Sequence, residues 1–237
     1  MSTEALHHTI FMIDVQGSGK LPNPAKLAMR ETLYAAVGQA LSSAGITDGI
    51  RLEDRGDGIL GTATAAVPKI QLIGTGIQHL YRALQLADGP PLKFRIGLHG
   101  GEVDRDTWGI SGSDVDLACR LADAPVVRRT LETATAAPLA VVVSEQLFDS
   151  VVRHGGHQLH PEQWARVDVK VKEVDRRAWL YVPGYSTPPI PPQSPSAPTA
   201  PTPLGSRQFT FNGPSAYVER STVHGLHVGP AYHLGDQ

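Results

Sequence analysis

Apolar residues recur along this chain in two alternating rhythms, short β-type runs and longer stretches of helical period, which together predict an α/β arrangement. Thr9–Val15 predicts a strand. Asn23-Pro24 then supplies a cap and first turn, and Leu27, Tyr34, Val37 and Leu41 keep one face of a helix that stops near Gly45. Arg51–Arg55 and Ile59–Thr64 predict two strands joined by Gly56-Asp57-Gly58, a tight hairpin with an acid at its tip. Pro68 opens a second helix, in which Ile70, Ile73, Ile77, Leu80 and Leu84 hold the period until Asp88-Gly89-Pro90-Pro91 ends it. A strand at Leu92–Leu98 runs into His99-Gly100-Gly101. A helix from Ser113 to Asp123, a strand at Leu139–Val143, a helix from Ser144 to Arg153 and strands near Val167–Val171 and Ala178–Val182 complete the series. The order strand, helix, hairpin, helix, strand predicts an α/β (α+β) fold with a ferredoxin-like split βαβ core and extra strands and helices.

Proline breaks this rhythm. Eight of the 19 prolines fall between Pro188 and Pro203, where there is no charged residue. Such a stretch cannot bury a core and has few backbone donors, so it predicts an extended spacer, with a ligand for a partner's aromatic groove as the other reading. The expected organisation is a body at 1–183, a Pro-rich linker at 184–206 and a β-prone Gly- and His-containing tail at 207–237. The tail either adds a hairpin to a partner's edge strand or orders only on binding.

Composition narrows the class. An apolar content of 41% suffices for a core, but no apolar run approaches the roughly 18 residues of a membrane span. The N-terminus lacks the basic start of a secretory signal. A single cysteine, Cys119, excludes an intramolecular disulfide and suits a reducing cytoplasm. The net charge of −2 leaves no electrostatic footprint for nucleic acid.

Two acids stand at strand ends beside glycine: Asp14, followed by Val15-Gln16-Gly17-Ser18-Gly19, and Asp57 in its hairpin. If their strands are neighbours, the carboxylates converge at one sheet edge. Mg²⁺ or Mn²⁺ takes one or two carboxylates plus phosphate oxygens, so the pair suits a metal–triphosphate complex, and the glycines allow backbone N–H groups near phosphate. The alternative is that both acids only cap turns. Gly17-Ser18-Gly19-Lys20 is not a P-loop, because Asp14 and Leu21 stand where that motif needs glycine and a hydroxyl residue. His154, His157 and His160 match no standard zinc spacing.

The residues also resemble, in order, the motifs of the class III nucleotide cyclases, the family of adenylate and guanylate cyclases. Phe11–Ser18 resembles their first metal-binding strand and phosphate loop, Arg55–Ile59 the hairpin of the second metal-binding aspartate, and Arg95–Val103 their central strand and turn. Ser113–Leu121 resembles the helix that presents an asparagine and an arginine, Val142–Glu145 a later strand-to-helix step, and Lys172 the lysine of the penultimate strand. The resemblance implies that Asp14, the Val15 carbonyl and Asp57 hold two divalent cations, Mn²⁺ or Mg²⁺. It implies that Gly17 and Ser18 approach phosphate, that Arg120 meets the charge developing on the α-phosphoryl group, and that Lys172, or Lys170, neutralises the outer phosphates. In the family the metal pair and the arginine come from different subunits, so a head-to-tail homodimer with composite sites is implied.

Two departures bear on catalysis. Asp116 replaces the family's asparagine, and an i, i+4 salt bridge to Arg120 is its plain structural reading; Glu173 replaces the glycine after the lysine. At the base-reading positions the chain has Glu53, where adenylate cyclases have lysine, and Gly109. A carboxylate accepts equally from guanine, uracil N3–H or a cytosine amino group. Trp108 either stacks on a base or fills the core. A cyclase without the purine-reading pair, and with no sensory or membrane module expected, is similar to the pyrimidine cyclases of bacterial antiphage (Pycsar) systems. These make cyclic UMP or cyclic CMP for a separate effector protein. The expected function is therefore a uridylate or cytidylate cyclase. An ordinary purine cyclase, a nucleotide-binding regulator without turnover and an adaptor built on an inactive cyclase fold remain as alternatives.

Overall fold

The structure, a computed structural model, describes residues 3–88, 91–107 and 109–192. Trp108, the linker beyond 192 and the 207–237 tail lie outside the described residues. The strands are β1 (Thr3–Val15), β2 (Ile50–Asp54), β3 (Gly58–Ala63), β4 (Phe94–Asp106), β5 (Gly109–Ser111), β6 (Leu139–Ser144), β7 (Ala165–Val171) and β8 (Val174–Tyr181). The helices are α1 (Asn23–Ser43), α2 (Ile77–Leu86, entered through a π-helical turn at Gln71–Gly76), α3 (Ser113–Ala122), α4 (Pro125–Thr133) and α5 (Glu145–Ser150).

One eight-stranded sheet runs in the order β2-β3-β1-β4-β6-β8-β7, with β5 attached to β4. Its first four strands, linked through α1, the β2–β3 hairpin and α2, form the expected split βαβ core. Alternation along β1 sorts the two faces. Phe11, Ile13 and Val15 share a core with Met29, Leu33 and Val37 of α1 and Ile77 and Leu80 of α2. Ile10 points the other way, into a smaller core with Leu60, Val103 and the α3 residues Val115 and Ala118. Cys119 packs there half-buried, and burial pushes its thiol pKa up. Helix α4 covers the same face further along, through Val127 and Leu131 against Val142, Val169 and Leu180. Gly97 admits α3 directly onto β4, since a Cβ there would collide with the backbone of Ala118 and Ala122.

Several elements differ from the sequence expectation. β1 begins six residues earlier than Thr9, and β4 passes straight through Gly100-Gly101 to Asp106. The two extensions pair with each other, His8 opposite Gly101 and Leu6 opposite Val103. Val103 apart, their side chains are polar, small or exposed, so no sustained apolar pattern announces them. Helix α4 was not expected: it lies between Asp123 and Leu139, where no element was assigned, and Pro125 occupies its first turn, where the missing N–H costs nothing. At the other end of the chain, Tyr185 and Ile190 pack partly buried against the α4 core.

A buried histidine ties α3 to the sheet. His99 is 7% exposed; its Nδ1 lies 2.9 Å from the Ser144 hydroxyl, which caps α5, and its Nε2 lies 3.2 Å from Asp114 in the first turn of α3. A neutral ring accepting from Ser144 and donating to Asp114 satisfies both contacts. Burial holds the His99 pKa below its ordinary 6.5, against the opposing pull of Asp114. The folded state then binds fewer protons than the unfolded one, so stability falls as pH drops below about 6.5 towards the folded pKa. Thermal melts from pH 7.5 to 5 should show a falling Tm whose slope flattens in His99→Gln; an unchanged slope would refute the assignment.

Candidate active site

The pairing of β1 with β3 puts Asp14 opposite Gly58, and the Val15 N–H donates to the Asp57 carbonyl at 3.1 Å. Asp14 and Asp57 therefore meet at one sheet edge. Asp14 points to the α3 face, where its carboxylate forms an ion pair with Arg95 on β4. Arg95 is itself buried and reaches Asp123 at the end of α3, 3.4 Å away. Burial raises the Asp14 pKa; Arg95 opposes that rise, and the nearby Asp57 charge adds to it.

Asp57 stands at an exposed hairpin tip. Ser18, which is buried, donates its hydroxyl to the Asp57 carboxylate at 2.5 Å. Gly17 before it takes φ +83°, a conformation that glycine adopts without strain, and so turns the chain from β1 towards α1. Ser18 thus holds the acid while the loop backbone lies beside it. Next to this pair opens a cleft of about 330 Å³ lined by Ser18, Gly19, Lys26, Arg30, Gly56 and Asp57.

The other residues singled out in the sequence fall into two groups. Glu53, on β2, sits beside Gly109: a Cβ on that glycine would lie 3.5 Å from the Glu53 carboxylate. Both carboxylate oxygens of Glu53 face guanidinium groups, Arg55 at 3.2 Å and Arg105 at 3.5 Å. Arg120, near the end of α3, points to the β7–β8 turn, its Nε donating to Glu173 at 3.4 Å. The expected Asp116–Arg120 bridge is replaced by this contact; Asp116 is exposed on α3. Lys172 was expected on a strand but occupies the two-residue turn after β7, at φ +50°. Lys170 is on β7, exposed, 3.7 Å from Asp175. Neither lysine lines the cleft beside Asp57.

No protein-family model matches the sequence, and no curated protein matches it. Solved structures do. The chain is similar to an adenylate/guanylate cyclase/hydrolase from Silicibacter pomeroyi, with a TM-score of 0.55, 21% identity, and coverage of 77% of this chain and 99% of that one. It is similar to the guanylyl cyclase Cya2 (TM-score 0.53, 16% identity, 77% and 93% covered) and to the adenylyl cyclase CyaB from P. aeruginosa (TM-score 0.52, 16% identity, 77% and 95% covered). The fold is that of a class III nucleotide cyclase catalytic domain.

A cyclase fold of this kind implies divalent metal, and the donor set can be tested for fit. Among the described residues no group of three or more His, Cys, Asp or Glu gathers into a metal cage. Asp57 on the open cleft, with Asp14 close enough to feel its charge, matches instead a hard cation that shares its coordination with substrate phosphates. Asp14 and Asp57 are the residues that would hold it. Among the described residues no helix is long and apolar enough to cross a membrane.

Sequence reasoning assigned no role to three charged residues that surround these positions, Arg30, Arg95 and Arg105, and named Glu173 only as a departure from the motif, without its contact to Arg120. Each acts through a partner distant in sequence, and of the four only Arg95 lies inside a recognised motif. Nothing local in the sequence marks what any of them touches.

Proposed function

We propose that this chain is a metal-dependent nucleotide cyclase that converts a nucleoside triphosphate to a 3′,5′-cyclic nucleotide and pyrophosphate. The observation that carries this reading is the convergence of Asp14 and Asp57 at one sheet edge, beside the Gly17-Ser18 loop and an open cleft. Divalent cations, when bound by the two aspartates, lower the pKa of the ribose 3′-hydroxyl and steady the leaving pyrophosphate. The 3′-oxygen then attacks the α-phosphorus in line as the bond to the β-phosphate oxygen breaks. The loop at Gly17-Ser18 presents backbone N–H groups to the phosphates. Arg120 supplies a guanidinium fork for the charge on the α-phosphoryl oxygens, and Lys172 a cation for the outer phosphates.

The topology supports a site shared between two copies of the chain. β8 runs parallel to β1, because the steps β1–β4, β4–β6 and β6–β8 are antiparallel, parallel and antiparallel. The β7–β8 turn, with Lys172, therefore lies at the opposite end of the strands from Asp14. It also lies at the opposite edge of the sheet, four strand spacings from β3 to β8, or about 19 Å. A head-to-tail homodimer brings the acids of one copy to the Arg120 and Lys172 of the other.

The base is proposed to be a pyrimidine, uracil or cytosine. Gly109 offers no side chain opposite Glu53, and Glu53 already carries two guanidinium partners, so the pair does not present the two free side chains that read a purine. The role as a second-messenger generator in antiphage defence, with a separate cyclic-nucleotide effector, rests on the resemblance to Pycsar cyclases. Incubation with ATP, GTP, CTP and UTP and Mn²⁺ should yield pyrophosphate and a cyclic pyrimidine mononucleotide. Cyclic product from purines alone would overturn the pyrimidine assignment, and no product from any of the four would overturn the cyclase. One observation favours a second reading, a nucleotide-binding regulator without turnover: Arg120 is engaged by Glu173 and accompanied by Asp116. That reading predicts triphosphate binding with no cyclic product.

A further inference from the structure

The hairpin that carries Asp57 is held from the side of α1. Its tip, Arg55-Gly56-Asp57, is exposed and has no apolar anchor of its own. Arg30, one residue after the buried Met29 on the 21-residue helix α1, reaches across to it. Its Nη1 and Nη2 donate to the two carboxylate oxygens of Asp54 at 2.9 and 2.5 Å, and Nη1 also donates to the Gly56 carbonyl at 2.5 Å. Asp54 closes the arrangement by accepting from the Gly56 N–H at 2.8 Å. The guanidinium also stands over the ring of Tyr34, 5.9 Å from its centroid. Four polar contacts thus link Arg30, Asp54 and Gly56, two of them ending on Gly56, the residue immediately before Asp57, and only a planar fork with several donors makes all of Arg30's share of them.

We propose that Arg30 is a positioning residue for the metal site: by clamping Asp54 and the Gly56 carbonyl to α1, it holds the hairpin tip where Asp57 meets Ser18 and faces Asp14. The proposal rests on the reading of Asp14 and Asp57 as metal ligands and deepens it. Carboxylate ligands are aimed by the groups that fix their backbone, and loss of such outer partners typically costs about 10–100-fold in metal affinity. Arg30 lines the cleft as well, so its charge alone offers a competing explanation, and the two differ in what they predict for the Arg30 variants. As a mere nearby cation Arg30 repels a divalent ion. Arg30→Gln should then tighten metal binding, Asp54→Asn should weaken it, and Arg30→Lys should leave it unchanged. As a clamp, all three variants weaken it.

The test is a titration of the full-length protein and the three variants with Mn²⁺ alone, read by the electron paramagnetic resonance signal of free Mn²⁺, with circular dichroism to confirm folding. The expected result is binding by the parent protein that weakens about tenfold in Arg30→Lys, Arg30→Gln and Asp54→Asn alike. Tighter binding by Arg30→Gln, or unchanged binding in Arg30→Lys, would overturn the clamp. So would the absence of Mn²⁺ binding by the parent protein, which would remove the metal site itself. Mn²⁺ binding with the expected losses, but without cyclic product from any nucleotide, would refute the cyclase reading and leave the clamp standing.

Discussion

Asp57→Ala is expected to abolish cyclic nucleotide formation while leaving the fold intact. Asp57 and Asp14 are the two carboxylates at the sheet edge, and no third His, Cys, Asp or Glu joins them in a cluster among the described residues. A hard cation shared with substrate phosphates has no spare protein ligand to fall back on. Losing one removes both the activation of the 3′-hydroxyl and part of the charge stabilisation on the leaving group. A fall of at least about a thousandfold in kcat, or about 4 kcal/mol of barrier, is the expected scale. The fold should survive, because Asp57 is exposed at the hairpin tip and lies outside the apolar cores; the loss of an acceptor for the buried Ser18 hydroxyl costs about 1–3 kcal/mol. Pyrophosphate release and chromatography of the products, beside a thermal melt, check both parts. A folded variant that keeps activity within about tenfold of the parent protein would remove Asp57 from the chemistry.

The second large effect is a recovery. Asp57→Ala and Arg120→Ala should each be inactive alone, and mixing them should restore activity. One copy keeps the acids and the other keeps the arginine, so a mixed dimer contains one intact site. Random exchange makes half of the dimers mixed, and each has one working site of two, so recovery to about a quarter of the parent rate is expected. The physical basis is the separation already described. Within one chain the cleft beside Asp57 contains neither Arg120 nor Lys172, and the β7–β8 turn stands at the far corner of the sheet. Mixed dimers verified by mass that remain inactive would count against the shared site, as would full activity from an isolated monomer.

Much of this fold was legible because its elements announce themselves locally. The helical period of α1 and α2, the hairpin at Gly56–Gly58 and the apolar runs of β3 and β6 are each set by residues within a few positions of one another. Their order led to the split βαβ core. Legibility failed where local signals mislead. Gly100-Gly101 reads as a turn but stays in β4. Helix α4, begun at Pro125, falls in a segment to which no element was assigned. The outer halves of β1 and β4 carry no sustained apolar alternation, and they pair because each supplies the other's backbone partners.

The site divided along the same line. Asp14, Asp57, Glu53 and Arg120 were recognisable as residue types beside glycines or inside motifs. What they touch was not. Arg30 and Asp54 are 24 residues apart, Arg120 and Glu173 are 53 apart, and Arg95 and Asp14 are 81 apart. Asp116, four residues from Arg120, was the partner local spacing suggested, yet the β7–β8 turn offers Glu173 and takes the contact. By itself, then, the sequence determined which elements form and which chemical groups they carry, because propensity, periodicity and turn chemistry act over short separations. Only the tertiary structure decided that two aspartates share an edge, that Arg30 holds the hairpin of one of them, and that Lys172 lies at the opposite corner. Those outcomes depend on strand order and register, which arise from long-range pairing and from burial of both sheet faces at once.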